Sequence, residues 1–460
     1  MVNAAKHPNI NLLTYSDIID FKGITGNYKV KVRKNPRYID ESKCIGCGLC
    51  TTKCPIKMPN EFDRGIGERG AIYIPFPQAV PKYAVIDKNS CISCKACERA
   101  CPAEAILFDQ EEELIEINVG AVIVATGWDE YPIMKTGEYN YGIYPDVITQ
   151  IELERMLSPI GPTGGHVCKI SDGKTPSSVA MIQCVGSRSL KANPYCSAVC
   201  CNVSLKNSQL LKQEYPEMDI TMFYIDIRTW DKGNEEYFRN IRGQNITFIK
   251  GKPGNIKLNQ DGTMRLFFDN TLEDSVTSMD FDLVVLSTGI IPSKGTYELA
   301  EIMGLSKGPN GFLTEVHGCL KPVETKDTGI YICGCAAGPK NIPYTVSQAL
   351  GASSKASALL SNDTLHQELI IIEVDEALCM GCRRCEKICN FGAIKVNDEE
   401  IAIVDELKCK GCGACATSCP ARAIDLKYYR DKQFEEEIKG IGQSNEVIST
   451  TSKIKELIKN

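Results

Sequence analysis

Residues 44–55 read CIGCGLCTTKCP, a C-x2-C-x2-C-x3-C run followed by proline. The same spacing returns at 91–101, 379–389 and 409–419. Pro55, Pro102 and Pro420 follow the fourth cysteine in three of the runs, and Asn390 takes that place in the third. Three thiolates with two residues between neighbours wrap a tight loop whose backbone amides turn inward, while the fourth cysteine leaves that loop. This is the ligand pattern of paired [4Fe–4S] clusters, in which the fourth cysteine of each run serves the other cluster. The expected sets are Cys44, Cys47, Cys50 with Cys101, and Cys91, Cys94, Cys97 with Cys54. At the other end they are Cys379, Cys382, Cys385 with Cys419, and Cys409, Cys412, Cys415 with Cys389. Structural zinc uses four ligands on one ion, usually as two separated C-x2-C pairs, and fits three such spacings in eleven residues badly.

Working outward, the chain has 460 residues, 24 of them cysteine. Cysteines gathered in tight runs within a long chain read as cluster ligands rather than as a disulfide framework. Met1 is not followed by a charged segment and an apolar core, so no secretory signal is expected. No apolar stretch reaches the roughly 18 residues of a membrane-spanning helix. A cytoplasmic protein is expected. The formal net charge of −6, made more negative by any clusters, argues against nucleic acid as a partner.

The two pairs of runs form an internal repeat around an α/β region. Short β-branched stretches predict strands at 121–125, 179–183, 220–224, 246–249, 283–287 and 330–333, and helices at 197–213 and 343–360. Thirty-six residues separate Cys54 from Cys91, against nineteen between Cys389 and Cys409, so the first module carries an insertion within 56–87. It contains Gly65, Gly67 and Gly70 as G-x-G-x-x-G, but without the strand before and helix after that a dinucleotide loop requires. A glycine-rich turn is expected there. The charged residues from 431 predict a helical tail.

The stretch 181–188 reads MIQCVGSR and 195–201 reads YCSAVCC. Together they give Cys184, Cys196, Cys200 and Cys201 a C-x11-C-x3-CC spacing. With 196–201 placed at a helix start, where the backbone favours thiolates and anionic clusters, these four predict a fifth [4Fe–4S] site. Only one glycine remains where a second dinucleotide loop would stand, so no nicotinamide site is expected. Cys168, Cys319, Cys333 and Cys335 are read as core thiols or as neighbours of a bound cofactor.

VIVATG at 122–127, VVLSTG at 284–289 and DTGIYICGCAAGP at 327–339 occur in an order that resembles flavoprotein reductases of the thioredoxin reductase type. The resemblance implies an α/β fold of two dinucleotide domains, with one inserted and one C-terminal ferredoxin module of two [4Fe–4S] clusters each. It implies FAD beside Ala125, Thr126, Gly127, Gly334, Cys335, Lys340, Asn341, Ile342 and Pro343. Lys340 is the candidate to touch N1 or N5 of the flavin. The helix that follows would point its N-terminus at the flavin pyrimidine ring, where its partial positive charge favours the anionic reduced form. The family's first FAD fingerprint does not precede 122–127 in this sequence.

LLTYS at 12–16, the run at 44–63, AIYIPFPQAVP at 71–81, the MIQCVGSR and YCSAVCC stretches, and GPKNIPYTVSQALGASSKA at 338–356 resemble more closely the A-type, flavin-binding subunit of heterodisulfide reductases. That family implies seven segments: 1–40, the start of a flavoprotein domain; 41–113, the inserted ferredoxin module; and 114–165, an FAD-domain segment. They continue with 166–290, a degenerate nicotinamide-type domain with the extra cluster; 291–368, the rest of the FAD domain; 369–430, the second ferredoxin module; and 431–460, the tail. It implies electron flow from a two-electron donor through FAD to ferredoxin and to subunits that reduce the CoM–CoB heterodisulfide. Expected partners are B- and C-type subunits, a hydrogenase or formate dehydrogenase donor subunit, ferredoxin, and a separate N-terminal half of the flavin subunit with which FAD is shared. Two alternatives stay open: a flavin–iron–sulfur relay that does not split electron pairs, and a multi-cluster wire with no flavin chemistry of its own.

Overall fold

The structure is a computed structural model that describes residues 2–135, 137–362, 364, 370–406 and 408–443. The expected boundary between 368 and 369 and the tail beyond 443 lie outside the described residues. Among the described residues no helix is long and apolar enough to cross a membrane.

The centre is a parallel five-stranded sheet in the order Val147–Thr149, Leu283–Thr288, Ser178–Val185, Asp219–Tyr224, Thr247–Lys250. Its inner strands are unbroken apolar runs, and Met181, Ile182, Val284 and Val285 have no exposed surface. Such runs are stable only when both faces are covered. Leu153, Met156, Leu205, Leu211 and Ile241, from the helices Gln150–Leu157, Cys200–Glu214 and Asn234–Arg242, cover one face. An antiparallel meander of Asn255–Leu258, Met264–Asn270 and Ser275–Phe281 covers the other. Phe223 is the hinge of that contact, edge-on to Phe268 at 4.8 Å and to Phe281 at 6.0 Å between ring centroids.

Five of the expected strands, from 179 to 333, lie on observed ones to within two residues, and 121–125 contains Val122–Val124. The meander is not among the expected strands, because its solvent face is too polar to read as strand. The segment 114–165 is expected to belong to the FAD domain, but its Val147–Thr149 joins the sheet of the following segment as an edge. Its three residues are all buried there, a register too short to announce itself in sequence.

The first cysteine module grows from a second sheet. Ser16–Ile24 and Asn27–Lys34 form an antiparallel pair, and Glu113–Val119 adds to its edge with Lys34 opposite Glu113. The chain therefore leaves the sheet after Lys34, builds the module, and returns at Glu113. The module's Asp63 meets Arg155 at 2.9 Å and its Arg64 meets Glu130 at 3.0 Å, which fixes it to the central domain. The second module is made of Ile372–Val374 paired with Ile424–Leu426 and Ile394–Val396 paired with Ala402–Val404. Gly65, Gly67 and Gly70 lie in and beside a hairpin whose strands are Met58–Pro59 and Glu68–Arg69. Strand Ile72–Tyr73 follows them instead of a helix, in keeping with the expected turn.

Candidate metal centres and the loop beside them

In the first module, Cys44, Cys47, Cys50 and Cys101 line one cavity together with Ile39, Ile74 and Ala84. Cys54, Cys91, Cys94 and Cys97 line a second. These are the two crossed sets expected from the spacing. Burial, then the proximity of Cys101, Cys44 and Cys47, pushes the Cys50 thiol up to about 11. In the second module Cys385 faces Cys382 and Cys379, and Cys415 faces Cys389 and Cys409. Cys419 packs into the same apolar cluster. Among the described residues no group of three His, Cys, Asp or Glu converges closely enough to hold a single ion. In the first module, four cysteines around each of two cavities are the number of ligands that one [4Fe–4S] cluster takes.

Each run closes its loop with two left-handed residues: Gly46 and Gly48, Ser93 and Lys95, Gly381 and Arg383, Gly411 and Gly413. At Gly46 the requirement is doubled, because a Cβ there would stand 2.2 Å from the Lys82 carbonyl oxygen. Ser93, Lys95 and Arg383 adopt the same strained conformation with a side chain.

The fifth group is built differently. Cys184 lies within the strand Ser178–Val185, with φ 57°, and is 5% exposed. Cys200 and Cys201 open the helix Cys200–Glu214 and are 9% and 7% exposed. Cys196 precedes the helix, which starts later than expected. The reason is local: the buried Ser197 hydroxyl accepts the Ile290 N–H at 2.8 Å and pairs with Ser187 at 2.6 Å, which holds 196–199 out of helix. Burial, followed by the nearness of Cys201, Cys184 and Cys196, drives the Cys200 thiol far up. The four are thus mutual neighbours. Loading a cluster requires them to lose protons, and the positive irons must repay that cost.

Three residues that sequence patterns do not mark surround this group. The Lys252 ammonium donates to the Cys184 carbonyl oxygen at 3.3 Å. The Arg188 guanidinium pairs with Asp226 and lies against Cys184. Tyr131 lies where a Cβ on Gly186 would meet its ring at 2.1 Å. That ring fills the approach to the one remaining glycine, which adds a steric obstacle to a nicotinamide pyrophosphate. Arg188 stands inside the MIQCVGSR stretch, but nothing in its spacing distinguishes it.

The residues assigned to FAD divide into two strips that meet. Val122–Val124 pairs in parallel with Ile330–Ile332, and the Cys333 N–H donates to the Val124 carbonyl oxygen at 3.1 Å. The strand ends 125–127 and the loop 334–341 therefore lie side by side. Ala125 is exposed, Gly127 has φ 74°, and a Cβ on Gly127 would meet nothing within 4 Å. Asn341 caps the helix Ile342–Leu360 by accepting the Tyr344 N–H at 3.0 Å, with Pro343 in its first turn. Ile342 is 79% exposed at that helix start. The Lys340 ammonium folds back onto the Gly334 and Gly338 carbonyl oxygens at 2.7 and 2.9 Å, and burial lowers its pKa. Cys335 donates weakly to the Lys340 carbonyl oxygen at 3.6 Å. This open ledge of strand ends, glycines and a capped helix start fits one side of a flavin.

Residues 43–106 and 378–424 match the 4Fe-4S dicluster domain family. The A-type subunit of the H(2)/formate:CoB-CoM heterodisulfide,ferredoxin reductase of Methanococcus maripaludis is 49% identical over 96% of this chain and 68% of its own length. This chain belongs to the family of heterodisulfide reductase A-type subunits. Within that family of oxidoreductase components, the A-type subunit of the H(2):CoB-CoM heterodisulfide,ferredoxin reductase of Methanothermobacter thermautotrophicus is 46% identical over 86% of this chain and 61% of its own. The A-type iron-sulfur subunit of the CoB–CoM heterodisulfide reductase of Methanocaldococcus jannaschii is 45% identical over 98% and 69%. The chain thus spans roughly two thirds of its relatives' length. A superposition on T. acidophilum thioredoxin reductase covers 54% of this chain and 68% of that one at 15% identity, with a TM-score of 0.34, too slight a likeness to bear on the fold.

Proposed function

We propose that this chain is the iron–sulfur flavoprotein subunit of a heterodisulfide-reductase-type complex and carries five [4Fe–4S] clusters. The observation that carries the reading is the gathering of cysteines: two sets of four in the first module, Cys379, Cys382 and Cys385 and Cys389, Cys409 and Cys415 in the second, and four at the end of a central sheet strand. Clusters supply one-electron transfer, and a flavin supplies the exchange between electron pairs and single electrons. What this chain's own residues do is hold and insulate. The modules pack most of their cysteines against Ile39, Ile72, Ile86, Ile372, Ile394 and Ile424, and leave Cys47, Cys94, Cys382 and Cys412 exposed.

The ledge at 125–127 and 334–341 would hold FAD, with Lys340 nearest its reactive ring positions and the opposite side of the site supplied by a further polypeptide segment. The electron route then runs from a two-electron donor subunit through this chain to ferredoxin and to B- and C-type subunits that reduce the CoM–CoB heterodisulfide, with the flavin splitting the pair. The relatives' names, which join the heterodisulfide with ferredoxin in one reaction, support this assignment. A cytoplasmic setting follows from such a route.

Iron and FAD per chain, measured on anaerobic protein with and without its copurifying partners, test the reading. About twenty irons, by four-iron cluster arithmetic, with FAD retained in the complex is the expected result. About sixteen irons and no FAD under either condition would reduce the chain to a four-cluster wire.

A further inference from the structure

The fifth cysteine group has two cations beside Cys184, Arg188 and Lys252. Arg188 stands four residues after Cys184, across the turn that ends the strand. Its backbone is left-handed at φ 55°, and its N–H donates to the Tyr195 carbonyl oxygen at 3.0 Å, one residue before Cys196. One residue therefore ties together the two halves of the ligand set, at a conformational cost that an ordinary surface arginine does not carry. Its side chain is 18% exposed, against 50% for its partner Asp226. The guanidinium thus points inward, towards Cys184, and the carboxylate holds it from the solvent side. Arg228 shares that carboxylate at 3.4 Å, so Asp226 is a braced anchor.

The geometry points to Arg188 as a positioning residue that sets the reduction potential of the cluster held by Cys184, with Asp226 tempering its charge. One electron added to a cluster adds one negative charge. A nearby cation, or an N–H aimed at a ligating sulfur, stabilises that reduced state and raises the potential. The three most deeply buried cysteines of the group are less than a tenth exposed, so water screens this interaction poorly. Lys252 adds a second cation on the strand side of Cys184, and Arg188 is paired with the Asp226 carboxylate. The potential of this centre is accordingly held higher than its thiolates alone would set it.

This inference rests on the fifth cluster proposed above, and the two fail separately. Cys184→Ser with no loss of iron would remove the cluster itself, whatever Arg188 does. The test of Arg188 is an EPR-monitored redox titration of the intact complex. Arg188→Gln is expected to move one cluster signal to a more negative midpoint with iron unchanged. Arg188→Lys should fall between that variant and wild type, and Asp226→Asn should move the same signal to a more positive midpoint. The other signals should stay in place. An unmoved midpoint in Arg188→Gln, or shifts of the same sign in Arg188→Gln and Asp226→Asn, would overturn the proposal. Should Arg188→Gln shed iron, Asp226→Asn decides alone: a positive shift sustains the charge role and none refutes it.

Discussion

The ferredoxin modules and the fifth centre solve one problem, gathering four thiolates, by opposite means. Each cluster of a module would take three of its four ligands from within seven residues, and the backbone of that loop is the scaffold. Its sheets are pairs of two- or three-residue strands, and its apolar core is largely the surroundings of the sulfurs. The fifth centre takes Cys184 from a strand end and Cys200 and Cys201 from a helix start, and its scaffold is the whole central domain. The lesson is one of dependence. A module needs its clusters to have a core, whereas the central domain has a core of large apolar side chains with or without one.

The sharpest way to break that comparison is to count irons. If the fourth cysteine serves the other loop, Cys50→Ser and Cys101→Ser strike one cluster, and the double variant should lose about four irons, no more than either alone. Cys54→Ser combined with Cys101→Ser strikes two clusters and should lose about eight. Iron analysis on anaerobic protein reads the difference. Equal losses in the two double variants would mean that each run closes on itself. Cys184→Ser should lose about four irons and leave the central sheet's unfolding transition in place, because no buried apolar contact is removed.

Heating reads the dependence from the other side. Phe223 is fully buried between Phe268 and Phe281, and Phe223→Ala should cost the central domain about 3–5 kcal/mol. The fifth cluster's signal should then be lost at a lower temperature while the ferredoxin signals keep theirs. Joint loss of all five would show that the modules unfold with the central sheet through Asp63–Arg155 and Arg64–Glu130.

The same contrast explains what can be read in advance. The ferredoxin cysteine runs are local, so spacing alone reaches them, and the two cavities of the first module bring together the sets expected from it. The parallel sheet is legible because strands such as 179–183 and 283–287 are unbroken apolar runs. The fifth ligand set is legible as cysteine spacing, but the same stretch read locally puts its helix start too early. Ser197, held by Ile290 from ninety-three residues away, keeps 196–199 out of the helix, and no local pattern carries that bond. The meander escapes for a related reason. Val276, 82% exposed, sits among polar residues whose pairing with Met264–Asn270 is tertiary. Arg188 and Tyr131 matter through residues far along the chain or across a turn, which composition and period do not encode.

Backbone strain sharpens the comparison at smaller cost. At Gly186, φ is 72° and the Tyr131 ring occupies the space of a Cβ. Gly186→Ala should destabilise the central domain by about 1–3 kcal/mol and loosen the turn between Cys184 and Arg188. Thermal unfolding and the fifth cluster's EPR line shape would register both effects. A silent substitution would mean that the turn is softer than its close packing indicates.

The smallest effect runs in the opposite direction. Arg383 occupies the left-handed position of the third run that Gly48 and Gly413 fill in two others. Its side chain is exposed, so little packing is lost with it. Arg383→Gly removes the Cβ penalty of that conformation in the folded loop but also frees the unfolded chain, and the two terms partly cancel. The steric term of about 1–2 kcal/mol exceeds the entropic one of about 0.4–1 kcal/mol, leaving a net gain of about 0.5–1 kcal/mol. Iron release from the second module in guanidinium should shift to slightly higher denaturant, with the first module as internal reference. A shift to lower denaturant would show that this loop is held by its cluster so firmly that local strain is no longer felt, and that the unfolded state alone decides.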